Sequence, residues 1–556
     1  MKVISLSLQQ VQQLQLLSHN YGKEAAKQKV SLLKKLSELR INKAAVIKPY
    51  HDVLLFIKAC PDNSLLLKMA KAELERVTAA VKKIMNGNNY REQYSLSGSG
   101  IAGTSLIAQY SFAVTKWLTE NFPASVSFES AAGNNETGTA ILHTLFPNIE
   151  YHYTTQENCT LQKRITNLLG KDKNLLKNII DLFERAGNRG KMTDVLYDQL
   201  KIFTEWKLEH PLNNRSFISS IPQKIFFHKH LEKRIIPDKI ISSPDFQSVP
   251  LSKEQNKYLV NIARASLAFY CRETDPITYA DENEAKLFSF NRGITIALFT
   301  MQQHRRLSIE SYIGYMAFKN TIPVAYGGGW IFGERCKIGT NIYPPFRGGE
   351  SAYIFAQVLR LYHHYFHIQR FIVKPYQFGK GNKEGLRSGA FWFYYKLGFR
   401  PVNSVIAEAA AKEYDNRKHT SAAMLKMFTK CNKELILQPL MPKDFDAALI
   451  SRAITRHIIK RFKGSREEAI NQSVKIIQQM LGIKNINRFS QKQQEHLQQF
   501  SLLISLLPQI NQWKEKEKRQ LLQLILSKTH HDERIYILQV QKHKRLMNEL
   551  YDSFSK

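Results

Sequence analysis

Residues 344–352 have the types and spacing of a turn that binds an anion. Two prolines open the segment and end a preceding strand, because proline supplies no N–H to a β-ladder. Gly348 and Gly349 permit a tight turn, and Ser351 is predicted to cap the helix that follows. The unpaired N–H groups of that helix, with Arg347 beside them, favour a phosphate ligand. Residue types alone leave two interpretations open, a pyrophosphate-binding turn or an ordinary strand-to-helix connection.

The surrounding pattern predicts the elements that position this turn. A long strand at 324–343, interrupted by glycines at 327–329, leads into it. An apolar residue periodicity predicts a helix at 353–366, followed by a short strand at 370–374. An aromatic-rich helix at 390–399 closes the unit. This order of elements is that of a single α/β module.

Two motifs in this module make it similar to the GNAT acyltransferase superfamily, over about residues 255–410. The family's pyrophosphate loop follows a proline at the end of the fourth strand, and this chain matches it at Pro344, Phe346, Arg347, Gly348 and Ala352. A later family signature is matched at Ala390, Phe393, Tyr394, Lys396, Gly398 and Phe399. The resemblance implies a central mixed β-sheet flanked by helices, a mixed α/β fold.

The resemblance also implies an N-acyltransferase that uses acetyl-CoA or another acyl-CoA as its donor and needs no metal. Tyr394 falls on the tyrosine that protonates the leaving thiolate, although a core aromatic is the alternative. Pantetheine would lie along a splayed strand edge, at Gly327–Gly329 or at the strand of Ile372. The residues expected to bind the donor are Phe346, Arg347, Gly348, Gly349, Ser351, Ala352 and Asn382.

A base for the amine acceptor is predicted among three carboxylates. Glu334 lies on the strand that leads to the turn and is the preferred candidate, and Glu273 and Asp275 are the others. Each could act directly or through a water.

Two positions depart from the family pattern. Glu350 stands where the family has glycine, and a carboxylate in an anion nest is repulsive unless it points away. The family's asparagine three residues before Ala390 is replaced by Arg387. An inserted loop at 377–385, which includes Asn382, could contact the donor or form a mobile lid. An aminoacyl-tRNA or carrier-protein donor is therefore an alternative to coenzyme A.

The composition indicates a basic, globular protein. The net charge is +33, so RNA or another polyanion is an expected partner. A nucleic-acid-binding protein with a degenerate acyltransferase-like fold is the alternative to an enzyme. The five scattered cysteines, the lack of an apolar leader and the lack of a membrane-length apolar run predict a reduced, cytoplasmic protein.

Changes in residue composition and periodicity along the chain predict four regions. These are a helical region at 1–90, a mixed region at 91–245, the GNAT-like domain at 246–410 and a basic helical domain at 411–556. Within them the sequence predicts a helix at 105–120 after a glycine-rich loop, Gly98-x-Gly100-x-x-Gly103. That loop is a weak match to a phosphate cradle, and a flexible helix-capping loop is the preferred interpretation. A linker at 237–250, a strand at 289–300 and a hairpin of 312–318 with 324–332 complete the prediction.

Overall fold

The computed structural model describes residues 4–155, 158–185, 191–209, 213–416, 420–437 and 446–554. It begins with the helices α1 (Leu8–Ser18), α2 (Lys23–Ser37), α3 (Ala44–Ala59), α4 (Ser64–Met85) and α5 (Tyr90–Leu96). At the start of α4, the Asn63 side chain accepts a hydrogen bond from the Leu66 N–H at 2.9 Å. The helix ends at the predicted Asn86-Gly87 breaker. The first region is helical, as the leucine spacing predicts.

A three-stranded antiparallel sheet lies at the centre of the next region, in the order β1-β3-β2. Its elements are β1 (Ser105–Gln109), α6 (Phe112–Asn121), β2 (Val126–Ala131), α7 (Asn135–Leu145), α8 (Tyr151–Thr154), α9 (Leu161–Leu169), α10 (Leu175–Arg185), α11 (Lys191–Leu200) and β3 (Ile202–Lys207). The helix predicted at 105–120 is wrong in its first turn, which is β1 with Leu106 and Ala108 buried and their neighbours outward. The glycine-rich loop therefore precedes a strand and not the predicted helix.

A nine-stranded mixed sheet forms the larger unit, in the order β11-β12-β10-β9-β8-β7-β6-β5-β4. Its elements are α12 (Pro237–Ile241), β4 (Gln247–Val249), α13 (Lys253–Ala268), α14 (Asp275–Thr278), β5 (Lys286–Phe290), β6 (Ile294–Phe299), β7 (Ser311–Lys319), β8 (Ile322–Phe332), β9 (Arg335–Ile342), α15 (Ser351–Phe366), β10 (Arg370–Val373), α16 (Lys383–Arg387), α17 (Ala390–Lys396), β11 (Arg400–Pro401), α18 (Ser404–Asp415), α19 (Ala422–Phe428) and β12 (Lys433–Ile436). The mixed α/β fold class is confirmed.

Tight turns divide two of the predicted strands. The predicted β7–β8 hairpin is confirmed, and its register pairs Gly314 with Gly328. The single strand predicted at 324–343 is instead parts of β8 and β9, which reverse at Gly333, where φ is +58°. The strand predicted at 289–300 is β5 and β6, which reverse at Arg292 and Gly293, both with positive φ. Each break falls at a glycine, which adopts such angles without steric cost.

Two predicted boundaries also fall inside the larger sheet. The segment 237–250 is not a linker, because it forms α12 and the edge strand β4, which pairs with β5. The sheet continues past residue 410, since β12 lies between β10 and β11.

The remaining helices pack against one end of the sheet. They are α20 (Ala447–Phe462), α21 (Arg466–Met480), α22 (Gln491–Ile504), α23 (Glu515–Ser527), α24 (Glu533–Lys542) and α25 (Lys544–Phe554). The Gln541 amide of α24 donates to the carbonyls of Gly333 and Phe366, and Arg534 donates to that of Tyr365. These contacts dock α24 against the β8–β9 turn and the end of α15. Among the described residues, no helix is both long enough and apolar enough to cross a membrane.

Candidate functional site

The predicted anion-binding turn lies between β9 and α15, in the predicted position. Phe346 is buried and Arg347 is half exposed, with Nε donating to the Ile342 carbonyl at 3.2 Å. Gly348 has a φ of +76° and open space around its Cα, whereas a side chain at Gly349 would lie 3.0 Å from the Phe56 ring. The glycine conformation and the exposed cation are the properties that the sequence predicts for this turn.

The helix after the turn is not capped as predicted. α15 begins at Ser351, and the residue in the N-cap position is Glu350, whose side chain makes no capping hydrogen bond. The Ser351 hydroxyl instead lies 3.5 Å from the Phe346 carbonyl, while Ala352 is partly buried. The first N–H groups of α15 consequently receive no side-chain cap.

The Glu350 carboxylate points away from the turn into the protein interior. It pairs with Lys319 at the end of β7 and with Arg292, whose Nε lies 3.0 Å away. It also accepts from the Glu232 N–H at 2.8 Å. Burial by itself would raise the pKa of Glu350, but contact with His228 and the charge of Lys319 outweigh it and hold the pKa well below its usual range. The predicted conflict between this carboxylate and a bound phosphate is thereby removed.

The parallel pairing of β9 with β10 beside the turn is short. β10 pairs with β9 only from Arg335 to Lys337, although β9 continues to Ile342. Among the described residues, none pairs as a strand with residues 338–342 on the β10 side. Gly327–Gly329, the other predicted pantetheine edge, lies inside β8, which is paired along these residues to both β7 and β9.

The side chain of Gln377 lies against this open stretch of β9. A Cβ added to Gly339 would come within 2.6 Å of the Gln377 carboxamide carbon. On the other side of the strand, the Tyr315 hydroxyl donates to the Gly339 carbonyl at 2.9 Å.

Tyr394 is buried in α17 and reaches the same part of β9. Its ring contacts Phe355 and Phe399, each with 5.8 Å between ring centroids. Burial raises the pKa of Tyr394, and hydrogen bonding to the main chain of Thr340 opposes the rise. The phenol therefore stays protonated at neutral pH. It meets β9 at Thr340, two residues before the strand ends at Ile342.

The structure does not bring Glu334 together with Tyr394. Glu334 lies in the β8–β9 turn at the opposite end of β9, where its carboxylate pairs with Lys544 at 3.1 Å. Six residues of strand separate it from Thr340, or about 20 Å. Glu334 is consequently too distant to act as base in a reaction at Tyr394.

The other predicted acids and the inserted loop have structural partners. Glu273 accepts a hydrogen bond from the Ser111 N–H at 2.8 Å. Asp275 begins α14 and lies near Tyr312. Burial raises the pKa of Tyr312, and the negative charge of Asp275 raises it further. The Asn382 amide caps α16 by accepting from the Gly385 N–H and donates to the Tyr376 carbonyl, both at 3.1 Å. These bonds leave one N–H and one oxygen lone pair of the Asn382 amide for its predicted contact with a donor.

Arg272 adds a second cation near the turn, which the sequence did not single out. Burial raises the pKa of Tyr326, and the charges of Arg272 and Arg347 oppose that rise. Gln377 begins the inserted loop at 377–385, whereas Arg272 belongs to no predicted motif, so only the fold places Arg272 near the turn.

One group of residues near Glu350 has the types of metal ligands. The ligand atoms of Cys60, His228 and Glu350 lie within 4.8 Å of one another. Burial raises the pKa of Cys60 to about 12, and the cations Lys319 and Arg292 already balance the carboxylate. A divalent cation would be repelled there, so Cys60 and His228 are better explained as neighbours of the buried cluster that Glu350 forms with Lys319 and Arg292.

The fold is thus mixed α/β, and its candidate site is a glycine-containing turn after a strand whose last five residues, among those described, lack a partner on the β10 side. No protein-family model, curated protein or solved structure matches the chain.

Proposed function

We propose that the protein is an N-acyltransferase that moves an acyl group, such as acetyl, from an acyl-CoA to an amine. One observation carries this proposal. The turn at 346–352 directly follows the stretch of β9 that β10 leaves unpaired, and the Tyr394 phenol meets β9 in that stretch. A binding site for a diphosphate, a strand edge for an extended chain and a proton donor thus follow one another along one strand.

Each part has a role in this reaction. The N–H groups that begin α15 and the Arg347 guanidinium bind the pyrophosphate, once Arg347 leaves its 2.7 Å ion pair with Glu384. The amides of pantetheine pair with residues 338–342, after the Gln377 side chain moves aside. The acceptor nitrogen bonds to the acyl carbon as the carbon–sulfur bond breaks. Tyr394 gives its proton to the departing thiolate. The amine loses a proton to water, and that proton returns to the Tyr394 phenolate.

Donor binding tests the proposal directly. Acetyl-CoA should raise the melting temperature of the wild-type protein, because it binds the native state. Arg347→Ala should lose most of this stabilisation, whereas Arg519→Ala, which removes an exposed arginine from α23, should keep it. Absence of stabilisation in the wild type, or equal stabilisation in Arg347→Ala, would contradict the proposed donor site.

A second candidate function rests on α20. The stretch 447–466 contains no acidic residue, and Arg452, Arg456 and Lys460 recur every fourth position on its exposed surface. Like charges at this spacing repel each other and destabilise a helix by a few tenths of a kcal/mol per pair, roughly 0.2–0.5. We propose that this row binds the phosphates of RNA, as a charged tRNA donor or as a separate ligand. Salt-sensitive stabilisation by RNA without any by acetyl-CoA would favour a binding protein over the enzyme.

The proposed compartment is the cytoplasm. The cysteines are unpaired, and Cys60 and Cys336 are buried as thiols, which suits a reducing environment.

A further inference from the structure

A cavity of about 270 Å³ lies apart from the 346–352 turn, between α3, α4 and the β7–β8 turn. Its apolar wall is formed by Leu67, Leu74, Phe217 and Ile225. Its polar wall is formed by Lys58, the exposed Lys71, Ser219 and Thr321. The volume is close to the lower end of small-molecule sites, roughly 300 Å³.

The polar wall offers mainly hydrogen-bond donors. Lys58 Nζ donates to the Ser216 carbonyl at 3.2 Å, and in the described part of the chain neither Lys58 nor Lys71 forms an ion pair. The hydroxyls of Ser219 and Thr321 are 2.6 Å apart, and either can be the donor. Their mutual bond uses one hydroxyl hydrogen and leaves the other O–H able to donate.

The two lysines are held together at an electrostatic cost. Burial, and then the positive charge of Lys71, lower the pKa of Lys58 to about 8. Glu75, one helical turn beyond Lys71 on α4, is the acid at the cavity and is itself exposed. A bound anion would offset the repulsion between the ammonium groups, because it interacts favourably with both.

The backbone at the cavity is also strained. The β7–β8 turn places Asn320 at a φ of +47° and Thr321 at +71°. A positive φ is unusual for a β-branched residue, and such strain persists where surrounding contacts impose it. Here the Thr321 carbonyl accepts from the Ser220 N–H at 2.8 Å, and the Asn320 amide bonds to the Ala59 carbonyl at 2.9 Å. These contacts hold Thr321 at the cavity wall, where its hydroxyl bonds to that of Ser219.

We propose that this cavity is a binding site for a small organic anion, a carboxylate or phosphate group on a short apolar body. The anionic group lies between Lys58, Lys71 and the Ser219–Thr321 hydroxyl pair. The apolar body packs against the leucines of α4 and the side chains of Phe217 and Ile225.

Calorimetric titration of the full chain with hexanoate tests the site, with hexylamine as a ligand of equal length and opposite charge. Hexanoate should bind and hexylamine should not. Lys58→Met and Lys71→Met should each weaken hexanoate binding roughly tenfold or more, the usual effect of losing a charged hydrogen-bond partner. Lys68→Met, an exposed lysine on α4 outside the cavity, is the matched control and should bind as the wild type does.

The proton on Lys58 supplies a second measurement. Hexanoate affinity should fall as the pH rises through about 8, where Lys58 becomes neutral. Arg347→Ala should leave hexanoate affinity unchanged, which separates this site from the proposed acyl-CoA site. Equal binding of hexylamine, no binding of hexanoate, or unchanged hexanoate affinity in Lys71→Met would overturn the proposal.

Discussion

Lys319 and Glu350 form a buried ion pair that joins the end of β7 to the residue before α15. Both side chains are about 1% exposed, and Arg292 shares the carboxylate. The pair fixes the end of the 346–352 turn to the sheet and keeps the acidic side chain away from the proposed phosphate site. A glutamate that looks incompatible with phosphate binding in the sequence thus supports the turn in the structure.

Glu350→Gln should strongly destabilise the fold. The substitution leaves Lys319 and Arg292 buried without a counter-charge, at a cost of about 3–5 kcal/mol in unfolding free energy. Urea unfolding would measure it. Glu384→Gln, which removes an exposed acid paired with Arg347, should cost less than about 1 kcal/mol. A similar small loss in Glu350→Gln would show that the buried pair does not stabilise the protein.

Glu350→Gln should also change how the stability of the fold depends on pH between neutral and acid conditions. The pKa of Glu350 is lower in the folded protein than in the unfolded chain, so its contribution is complete above the unfolded pKa of about 4.5. That contribution is lost as the pH falls below this value, because the unfolded state takes up the proton first. Thermal unfolding between neutral and acid pH should therefore show a shallower decline in Glu350→Gln than in the wild type.

Tyr394→Phe should reduce acyl-transfer turnover roughly tenfold or more and leave acetyl-CoA affinity nearly unchanged. The ring is retained, so its contacts with Phe355 and Phe399 remain, and only the proton donor is lost. Single-turnover rates with a panel of amines would measure the effect. Phe393→Leu on the same helix is the control for altered packing. Equal rates in Tyr394→Phe and the wild type would remove the phenol from the chemistry.

Gly348→Ala should weaken donor binding through the backbone alone. Nothing lies within 4 Å of a Cβ at Gly348, but a φ of +76° strains any L-residue by about 1–2 kcal/mol. Gly464→Ala is a matched control, because Gly464 also has a positive φ and open space but follows α20. Both should lose similar stability in denaturant unfolding. Acetyl-CoA affinity should fall in Gly348→Ala alone, and a fall in both variants would contradict this assignment.

Lys433→Met should stabilise the protein at neutral pH. Lys433 is buried, donates to the Phe391 carbonyl at 2.7 Å and lies 3.7 Å from the centre of that ring. Burial, with a further effect from Arg400, lowers its pKa to about 6. The unfolded chain binds more protons between pH 6 and its own pKa of about 10.4, so wild-type stability should rise with pH across that window.

The substitution removes this proton linkage, so the stability of Lys433→Met should vary less between pH 6 and 10. We expect a gain at pH 7 of about 1–3 kcal/mol in chemical unfolding, within the usual range for single substitutions. The exposed Lys430→Met should change little. A loss of stability in Lys433→Met would mean that its bond to the Phe391 carbonyl outweighs the burial of the amine.

Replacing Arg452, Arg456 and Lys460 together by glutamine should weaken RNA binding and its dependence on salt. Because three phosphate contacts are lost, the slope of the logarithm of the RNA affinity against the logarithm of the salt concentration should fall in magnitude by about 2. Replacing Lys514, Lys516 and Lys518 removes equal charge from a segment with interleaved glutamates, and should have a smaller effect. Fluorescence anisotropy with single-stranded RNA would measure both. An unchanged slope in the α20 variant would exclude that helix as the RNA surface.

The features that could be predicted from the sequence are local ones. Helical periodicity at 353–366 and the β7–β8 hairpin carry their own signals, and the structure has both. Buried and outward positions alternate in β1 over only five residues. Such a short alternation could not be distinguished in the sequence from the start of the helix that follows. The β8–β9 reversal was missed because the sequence draws attention to the three glycines at 327–329, whereas the chain turns at the single Gly333.

The composition of the site could be predicted only in part. The glycines and arginine of the turn are contiguous, so the sequence shows them together. Lys319 and Glu350 are 31 positions apart, and neither shows its partner in the sequence. Glu334 was favoured because it precedes the turn in the chain, but an extended strand places residues that are close in sequence at opposite ends.

The nine-stranded sheet ends in very short strands. β4 has three residues at one edge, and β11 has two at the other, the second of them Pro401. Such edges expose few backbone groups for pairing, and proline contributes no N–H. The sheet is consequently a poor template for a further chain, so edge-to-edge polymerisation is disfavoured at both margins.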